Sequence, residues 1–265
     1  MEVIPATTPV ASAKAATTTT TTDLGLTPAH AREHPLGVPF KFSADGTVQR
    51  YPGNTTVCHI PADSPLQPLL HTTYNALNTH PRLSKIIAIL PPSSWHMTVV
   101  NGVREQECEP GMWPPGLEKK PLAEATEEFA VAARRAGLQL EEQGLAPPYR
   151  MRVRRFNPEV VAGIGLEVEG ATAEEEKRMR RLRDVLADAM GFRAPNHEVY
   201  DFHVSIAYFL RHVEGGDLVE VRRLYRELLE GVEMEGGLEF ELGLVEFNTF
   251  ENMFGFPRLF YLGEP

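Results

Sequence analysis

Apolar and polar residues show no periodicity over the first 36 positions and then fall into short regular blocks. The run "SPLQPLLHTTYNALNTH" repeats its apolar positions at helical spacing, with Ser64 placed as N-cap and Pro65 at the first helical position. Three more blocks carry the same period. "PLAEATEEFAVAARRAGLQLEEQG" predicts a long amphipathic helix closed by Gly144. "TAEEEKRMRRLRDVLADAMG" predicts a helix opened by a capping box, Thr172 with Glu175, and ended by Gly191. "DLVEVRRLYRELLEG" predicts a helix from Asp217 to Gly231. Between them lie blocks with strand character: "KIIAIL" and "WHMTVV", joined by "PPSS", then "YRMRVRRF", "VVAGIGLEV", "FHVSIAYFL", "LEFELGLVEFNTF" and "PRLFYL". Near the start of the patterned region "ADG" and "YPGN" read as turns, with Gly46 and Gly53 suited to positive φ. Strands and helices mix without regular alternation, and several strands have short connections. This predicts an α+β fold with antiparallel sheets rather than a doubly wound parallel one.

Residues 1–36 are rich in Thr, Ala and Pro, with an unbroken threonine run from Thr17 to Thr22. Such a segment buries too little apolar surface to offset its ordering entropy, so it is expected to be a disordered tail ahead of a single domain over 37–265. Residues 1–23 have neither the basic and apolar regions of a signal peptide nor, with one Lys and no Arg, the arginines of a transit peptide. No stretch reaches the apolar length that spans a bilayer.

Charge narrows the partners. The chain carries a formal net charge of −10 over 265 residues, which argues against holding long duplex nucleic acid by phosphate neutralisation. A small anion or a single strand end at a local positive site remains compatible. Cys58 and Cys108 match no zinc spacing and make no disulfide framework, so an intracellular, cytoplasmic location is expected. Oligomeric state is not legible.

The chemistry sits in two of the strands. On a strand, side chains alternate between faces, so His96 and Thr98 share one face while Trp95, Met97 and Val99 take the other. Further on, His203 and Ser205 share a face, with Phe202, Val204, Ile206 and Tyr208 opposite unless a bulge intervenes. The two histidines are 203 − 96 = 107 residues apart. A lone half-buried histidine is most simply a satisfied structural residue; the duplicated pattern is what points to function. Two imidazoles can divide general acid and base roles near neutral pH, and each neighbouring hydroxyl can donate to a phosphate oxygen. Phosphodiester cleavage fits this set without metal or other cofactor. A zinc site completed by His59, His197 or a carboxylate is the competing arrangement, although no H-x-H, H-E-x-x-H or C-x-x-C occurs. A serine nucleophile fits less well, because Ser205 lies beside its own histidine on a strand and no G-x-S-x-G elbow is present.

With "HMTV" at 96–99 and "HVSI" at 203–206, the chain resembles the 2H phosphoesterase superfamily, defined by two H-x-[ST]-x motifs. The stretches "FSADGTVQRYPGNT", "PPSSWHMTV" and "YDFHVSIAY" are similar to a branch of it described as RNA ligase or cyclic nucleotide phosphodiesterase-like, over roughly residues 39–262. The resemblance implies two antiparallel-sheet lobes about a pseudo-twofold axis, a cleft between them and helices outside. It implies catalytic roles for His96 and His203 and phosphate binding by Thr98 and Ser205. The implied substrate is a nucleotide or an RNA-end phosphodiester such as a 2′,3′-cyclic phosphate. Some members only bind nucleotides, so a non-catalytic binding module is the alternative. The motif spacing and the insert around "EQECEPGMWPPGLEKK" are longer than in compact members.

Further candidates for substrate contact are Arg150 and Arg152 on one face of "YRMRVRRF", Tyr51 and Asn54 in "RYPGNT", Lys41 in "FKFSADG", and Trp113 as a base-stacking residue. Arg150, Arg152 and Arg154 share one face by parity and Arg155 takes the other. "EEEKRMRRLR" reads as a solvated helix face with i,i+4 ion pairs.

Overall fold

The computed structural model describes residues 33–108, 118, 120–158, 160–194, 196–229 and 237–264. Residues 1–32 of the expected tail, and Trp113, lie outside the described residues. At the end of that expected tail, Pro35 is buried and Leu36 lines the cleft described below.

In chain order the strands are β1 (Gly53–His59), β2 (Ile87–Ile89), β3 (His96–Arg104), β4 (Tyr149–Phe156), β5 (Gly163–Gly170), β6 (His203–Phe209), β7 (Glu239–Leu242), β8 (Glu246–Phe250) and β9 (Arg258–Tyr261). The helices are α1 (Gln67–Thr79), α2 (Leu122–Gly137), α3 (Ala173–Met190) and α4 (Gly215–Leu229). All the strand pairings are antiparallel, in one curled sheet of order β7-β4-β5-β6-β3-β1-β8-β9, with β2 added beside β6. The architecture is α+β. The two halves, β9-β8-β1-β3 and β6-β5-β4-β7, meet at a single paired position, Met97 with Val204. One continuous sheet thus replaces two separate ones, and its narrow seam is where the lobes join.

The helices cover one face of this sheet. Trp95, Met97, Val99, Phe202, Val204 and Ile206, the apolar set of the two histidine strands, fall in one buried cluster with Leu70 and Leu77 of α1, Phe129 and Ala133 of α2, and Leu182 and Leu186 of α3. Trp95 packs edge-on against His71 and Tyr74 of α1, with centroids 5.0 and 6.1 Å away, on the packing face that alternation predicts. Burial of such side chains contributes roughly 1.5–3 kcal/mol each. It pins the register of both strands and so fixes which residues face the other way.

Several elements differ in detail from the sequence pattern. α1 begins at Gln67 with Leu66 as N-cap, while Ser64 accepts from Leu66 N–H at 3.3 Å in the turn before it. α2 ends at Gly137, where a side chain would collide with the backbone at Leu262 and Gly263; Gly144, at φ +67°, closes the turns that follow. α3 keeps its predicted ends: Thr172 accepts from Glu175 N–H at 3.2 Å, and Gly191 takes the left-handed conformation. α4 begins two residues before Asp217; the end expected at Gly231 lies outside the described residues.

β2 and β3 do not pair with each other. Both lie along one edge of β6, interrupted by the 3-10 turn Pro92–Ser94. "LEFELGLVEFNTF" splits into β7 and β8, which join opposite halves of the sheet. Gly46 takes positive φ, +88°. Gly53 does not. It opens β1, where a Cβ would collide with the Phe250 ring and the Val103 carbonyl. Among the described residues no helix is long and apolar enough to cross a membrane.

Candidate active site at the seam of the sheet

Because β3 and β6 run antiparallel through the pair Met97–Val204, continuing the register sets His96 across from Ser205 and Thr98 across from His203. Each histidine faces the hydroxyl of the other motif, and the local symmetry is twofold. Diagonal residues on neighbouring strands stand roughly 7–8 Å apart, so the two imidazoles can bracket one phosphate group.

The symmetry extends to the backbone. In each strand the burial sequence from the histidine onward is half-buried, buried, half-buried, buried, buried, half-buried. A register shift causes it in both: opposite Thr56/Val57 for β3 and opposite Ile164/Gly165 for β6. The extra residue moves the next cleft-facing position from the fourth to the fifth after the histidine. Asn101 and Tyr208 therefore line the cleft, contrary to plain alternation, which put Tyr208 with the core.

The imidazoles are held alike. Nδ1 of His96 donates to the carbonyl of Ser94 at 2.7 Å, and Nδ1 of His203 donates to that of Asp201 at 2.9 Å. A carbonyl only accepts, so each Nδ1 keeps its proton. In the neutral ring Nε2 then carries the lone pair. Burial, partly opposed by the Ser94 hydrogen bond, lowers the His96 pKa to about 3; burial also lowers that of His203. Their same-face neighbours differ in sign. His59, the register partner of His96, has its ring 5.9 Å away; around His96 the two other imidazoles, His59 and His203, disfavour its protonation and Glu246 favours it. At His203 the nearby Lys41 ammonium disfavours protonation, while Asp201 and its register partner Glu167 favour it. His59 is tethered to buried Glu246 at 2.9 Å. Phe256 packs against His96 at 4.2 Å between centroids.

The cleft encloses about 360 Å³, within the range that takes small molecules, roughly 300–1,000 Å³. It brings together His96, Thr98, His203, Ser205, Lys41, Tyr51 and Asn54. Asn54 is structural as well: its side chain donates to Thr126 Oγ1 at 2.8 Å and accepts from Val103 N–H at 3.1 Å. It stands in β1 rather than in the expected turn. Arg104 also lines the cleft, and no Asp or Glu is among the lining residues described. In a chain of net charge −10 the described lining is thus free of carboxylates and carries Lys41 and Arg104.

Arg150 and Arg152 are not brought to the cleft. Arg150 pairs with Glu239 at 3.0 Å and Arg152 with Glu169 at 2.6 Å, because β5 and β7 place acidic residues beside them. A register shift between Val153 and Arg155 also turns Arg155 toward Glu167, at 2.6 Å, against the expected alternation.

Pattern alone also missed two supports. Tyr200 lines the cleft beside Thr98. Arg183, expected on a solvated helix face, is buried. Its guanidinium donates to the carbonyls of Val99 and His197 and lies 4.1 Å from the Tyr200 ring. In the same stretch Glu176–Arg180 is an i,i+4 ion pair, as expected, while Glu175–Arg178 is spaced i,i+3. Among the described residues, the one cluster of three adjacent metal-type ligands is Asp184, His197 and Glu198, which contains neither His96 nor His203. Arg193 bridges its two carboxylates at 3.1 and 2.9 Å.

Sheet and site have the arrangement expected of the 2H phosphoesterase class: antiparallel halves meeting where two His-x-hydroxyl strands face one cleft. A family model named 2H-phosphodiest, described as a domain of unknown function, matches residues 41–162, taking in the first motif. A solved structure, the conserved protein of unknown function ATU0111 from Agrobacterium tumefaciens str. C58, superposes with a TM-score of 0.74 at 28% identity, covering 89% of this chain and 96% of that one. TT0787 of Thermus thermophilus gives 0.43 at 14% identity, covering 81% and 98%. No curated protein matches the chain. The family model and the ATU0111 structure support the 2H phosphoesterase superfamily for this chain, with a domain of phosphodiesterase type.

Proposed function

We propose that the protein is a phosphodiesterase that cleaves a nucleotide or RNA-end phosphodiester, a 2′,3′-cyclic phosphate being the leading candidate, with its two histidines as general base and acid. The observation that carries this reading is the crossed placement of the two His/hydroxyl pairs in one cleft lined by no carboxylate among the described residues. His96, with its low pKa and His59 beside it, is the base: Nε2 takes a proton from the attacking water. His203, where Asp201 and Glu167 favour protonation against the opposing charge of Lys41, is the acid and gives its Nε2 proton to the leaving oxygen. The phosphate anion itself raises the pKa of His203 on binding. Thr98 and Ser205 donate to the non-bridging oxygens as charge builds there. No step of this scheme requires a metal.

The direct test is turnover of a panel of 2′,3′-cyclic nucleotides and oligoribonucleotides in excess chelator. Activity lost to chelator and restored by zinc would sink the metal-free scheme. Binding of AMP-like ligands by calorimetry, without turnover across that panel, would favour a binding module instead. Removing one hydroxyl, by Thr98→Ala or Ser205→Ala, is expected to lower kcat about 10²–10³-fold, as loss of an oxyanion donor does. Steady-state kinetics checks this.

The pH dependence has a defined sign. The base must be neutral, so the rate rises as pH climbs through its pKa. The acid must be protonated, so the rate falls as pH climbs through its own. Both pKa values are depressed in the free protein. The bell of kcat/KM is therefore expected to lie on the acid side of about 6.5. The alkaline limb of kcat, which reports the complex, is expected at higher pH than that of kcat/KM. Profiles from about pH 4 to 9 test this; a kcat/KM optimum above 7 would contradict it.

A further inference from the structure

Lys41 has a setting that the two histidines do not explain. Its ammonium donates to the Tyr208 hydroxyl at 3.1 Å and lies 4.4 Å from the Tyr208 ring centroid and 5.7 Å from that of Tyr51. Burial pulls its pKa down, but the two tyrosines outweigh it and leave the pKa raised, so the lysine stays charged. Arg104 lines the same cleft, lies 5.9 Å from the Tyr51 ring and opposes the lysine's charge. Among the described residues no carboxylate forms a salt bridge with Lys41, and none lines the cleft.

Lys41 is half-buried at the cleft wall, and a partly desolvated cation is costly unless an opposite charge completes the site. Tyrosine rings and a phenol oxygen offset that cost in part. Tyr208 lies three residues beyond Ser205 on β6, roughly 10 Å along the strand at about 3.3 Å per residue. The lysine is thus bonded to a residue displaced along the strand from the paired hydroxyls.

We propose that the cleft takes substrates with a second anionic group, a phosphomonoester, which docks on Lys41 between Tyr51 and Tyr208 while the scissile phosphodiester lies between His96 and His203. This rests on the phosphodiesterase reading and narrows it to a doubly phosphorylated substrate class, such as a 5′-phosphorylated nucleoside 2′,3′-cyclic phosphate.

The test compares kcat/KM for nucleoside 2′,3′-cyclic phosphates with and without a 5′-phosphate. The wild-type protein is expected to favour the 5′-phosphorylated form roughly 10- to 100-fold, the range for a charge-assisted contact. Lys41→Met is expected to bring that ratio close to one, and Lys41→Arg to keep most of it. No preference in the wild type, or a preference unchanged in Lys41→Met, overturns the proposal. Calorimetry separates its failure from that of the catalytic reading. A nucleoside 3′,5′-bisphosphate should bind more tightly than the 3′-monophosphate by a similar factor, even if nothing is turned over. Equal affinities overturn the second anion site whatever the kinetics. A bisphosphate preference without turnover of any substrate supports the site and overturns only the catalytic assignment.

Discussion

Alanine at either histidine of the seam is expected to lower kcat about 10²–10⁴-fold, the range for a general acid or base. The double variant should lose far less than the product of the two, since groups that act as a unit are not additive. Neither change should unfold the protein, because both imidazoles are half-buried on the open face of strands whose apolar side chains hold the core. Thermal melts of the variants provide that control. The roles separate with an activated substrate. A p-nitrophenyl phosphodiester has a leaving group that departs without a proton, so His203→Ala should recover much of its lost rate on it. His96→Ala should not, because the attacking water still needs a base. The pH profiles should agree: the alkaline limb disappears when the acid is removed and the acidic limb when the base is removed. Wild-type rates in both alanine variants would remove these residues from the mechanism. Recovery by His96→Ala instead of His203→Ala would exchange their roles.

Arg183→Met is expected to destabilise the protein by about 2–4 kcal/mol and to lower kcat as well. The guanidinium donates to the carbonyls of Val99 and His197, and its removal leaves both buried acceptors short of a donor. Burial lowers the pKa of Arg183 to about 10, so it remains charged at neutral pH and its bonds are charge-assisted. Val99 lies at the bulge of β3, between Thr98 and Asn101, and the same guanidinium stacks on Tyr200, which lines the cleft with Thr98. Loosening this support should move Thr98, and misplacement by about 1 Å can cost up to about 10² in rate. Urea unfolding midpoints and steady-state kinetics measure the two effects. Arg183→Lys, which keeps the charge but loses the forked donor geometry, should recover part of the stability and less of the rate. An unchanged midpoint in Arg183→Met would refute the structural role.

Local chemistry was readable where a short segment settles its own structure. The cap at Thr172 and the left-handed Gly191 follow from backbone groups that must be satisfied within one turn. The faces of "WHMTVV" and "FHVSIAYFL" followed from period-two alternation as far as Thr98 and Ser205, and the site hydroxyls fall within that range. Alternation failed beyond them because one extra residue in each strand turns the pattern over. The sequence carries no mark of a bulge, which arises from how a strand fits its neighbour. Arg183 was misplaced for a related reason: a run of charges looks solvated until a packed strand offers carbonyls to one of them. Arg150 and Arg152 were plausible phosphate ligands until Glu239 and Glu169 were brought beside them from other strands.

The sequence by itself determined the chemical inventory: two imidazoles, each two residues from a hydroxyl on the polar side of an apolar strand, in an acidic chain without a zinc motif. Tertiary structure alone decided that the strands run antiparallel past Met97 and Val204, so that each histidine faces the other's hydroxyl. It also decided that His59 stands beside one histidine and Glu167 beside the other, and that Lys41 reaches the cleft between two tyrosines. The physical reason is range. Alternation and capping are set by neighbours along the chain. The distances that shift a pKa, oppose two cations or place an acid across from a base are set by residues far apart in sequence, which only the closed sheet brings together.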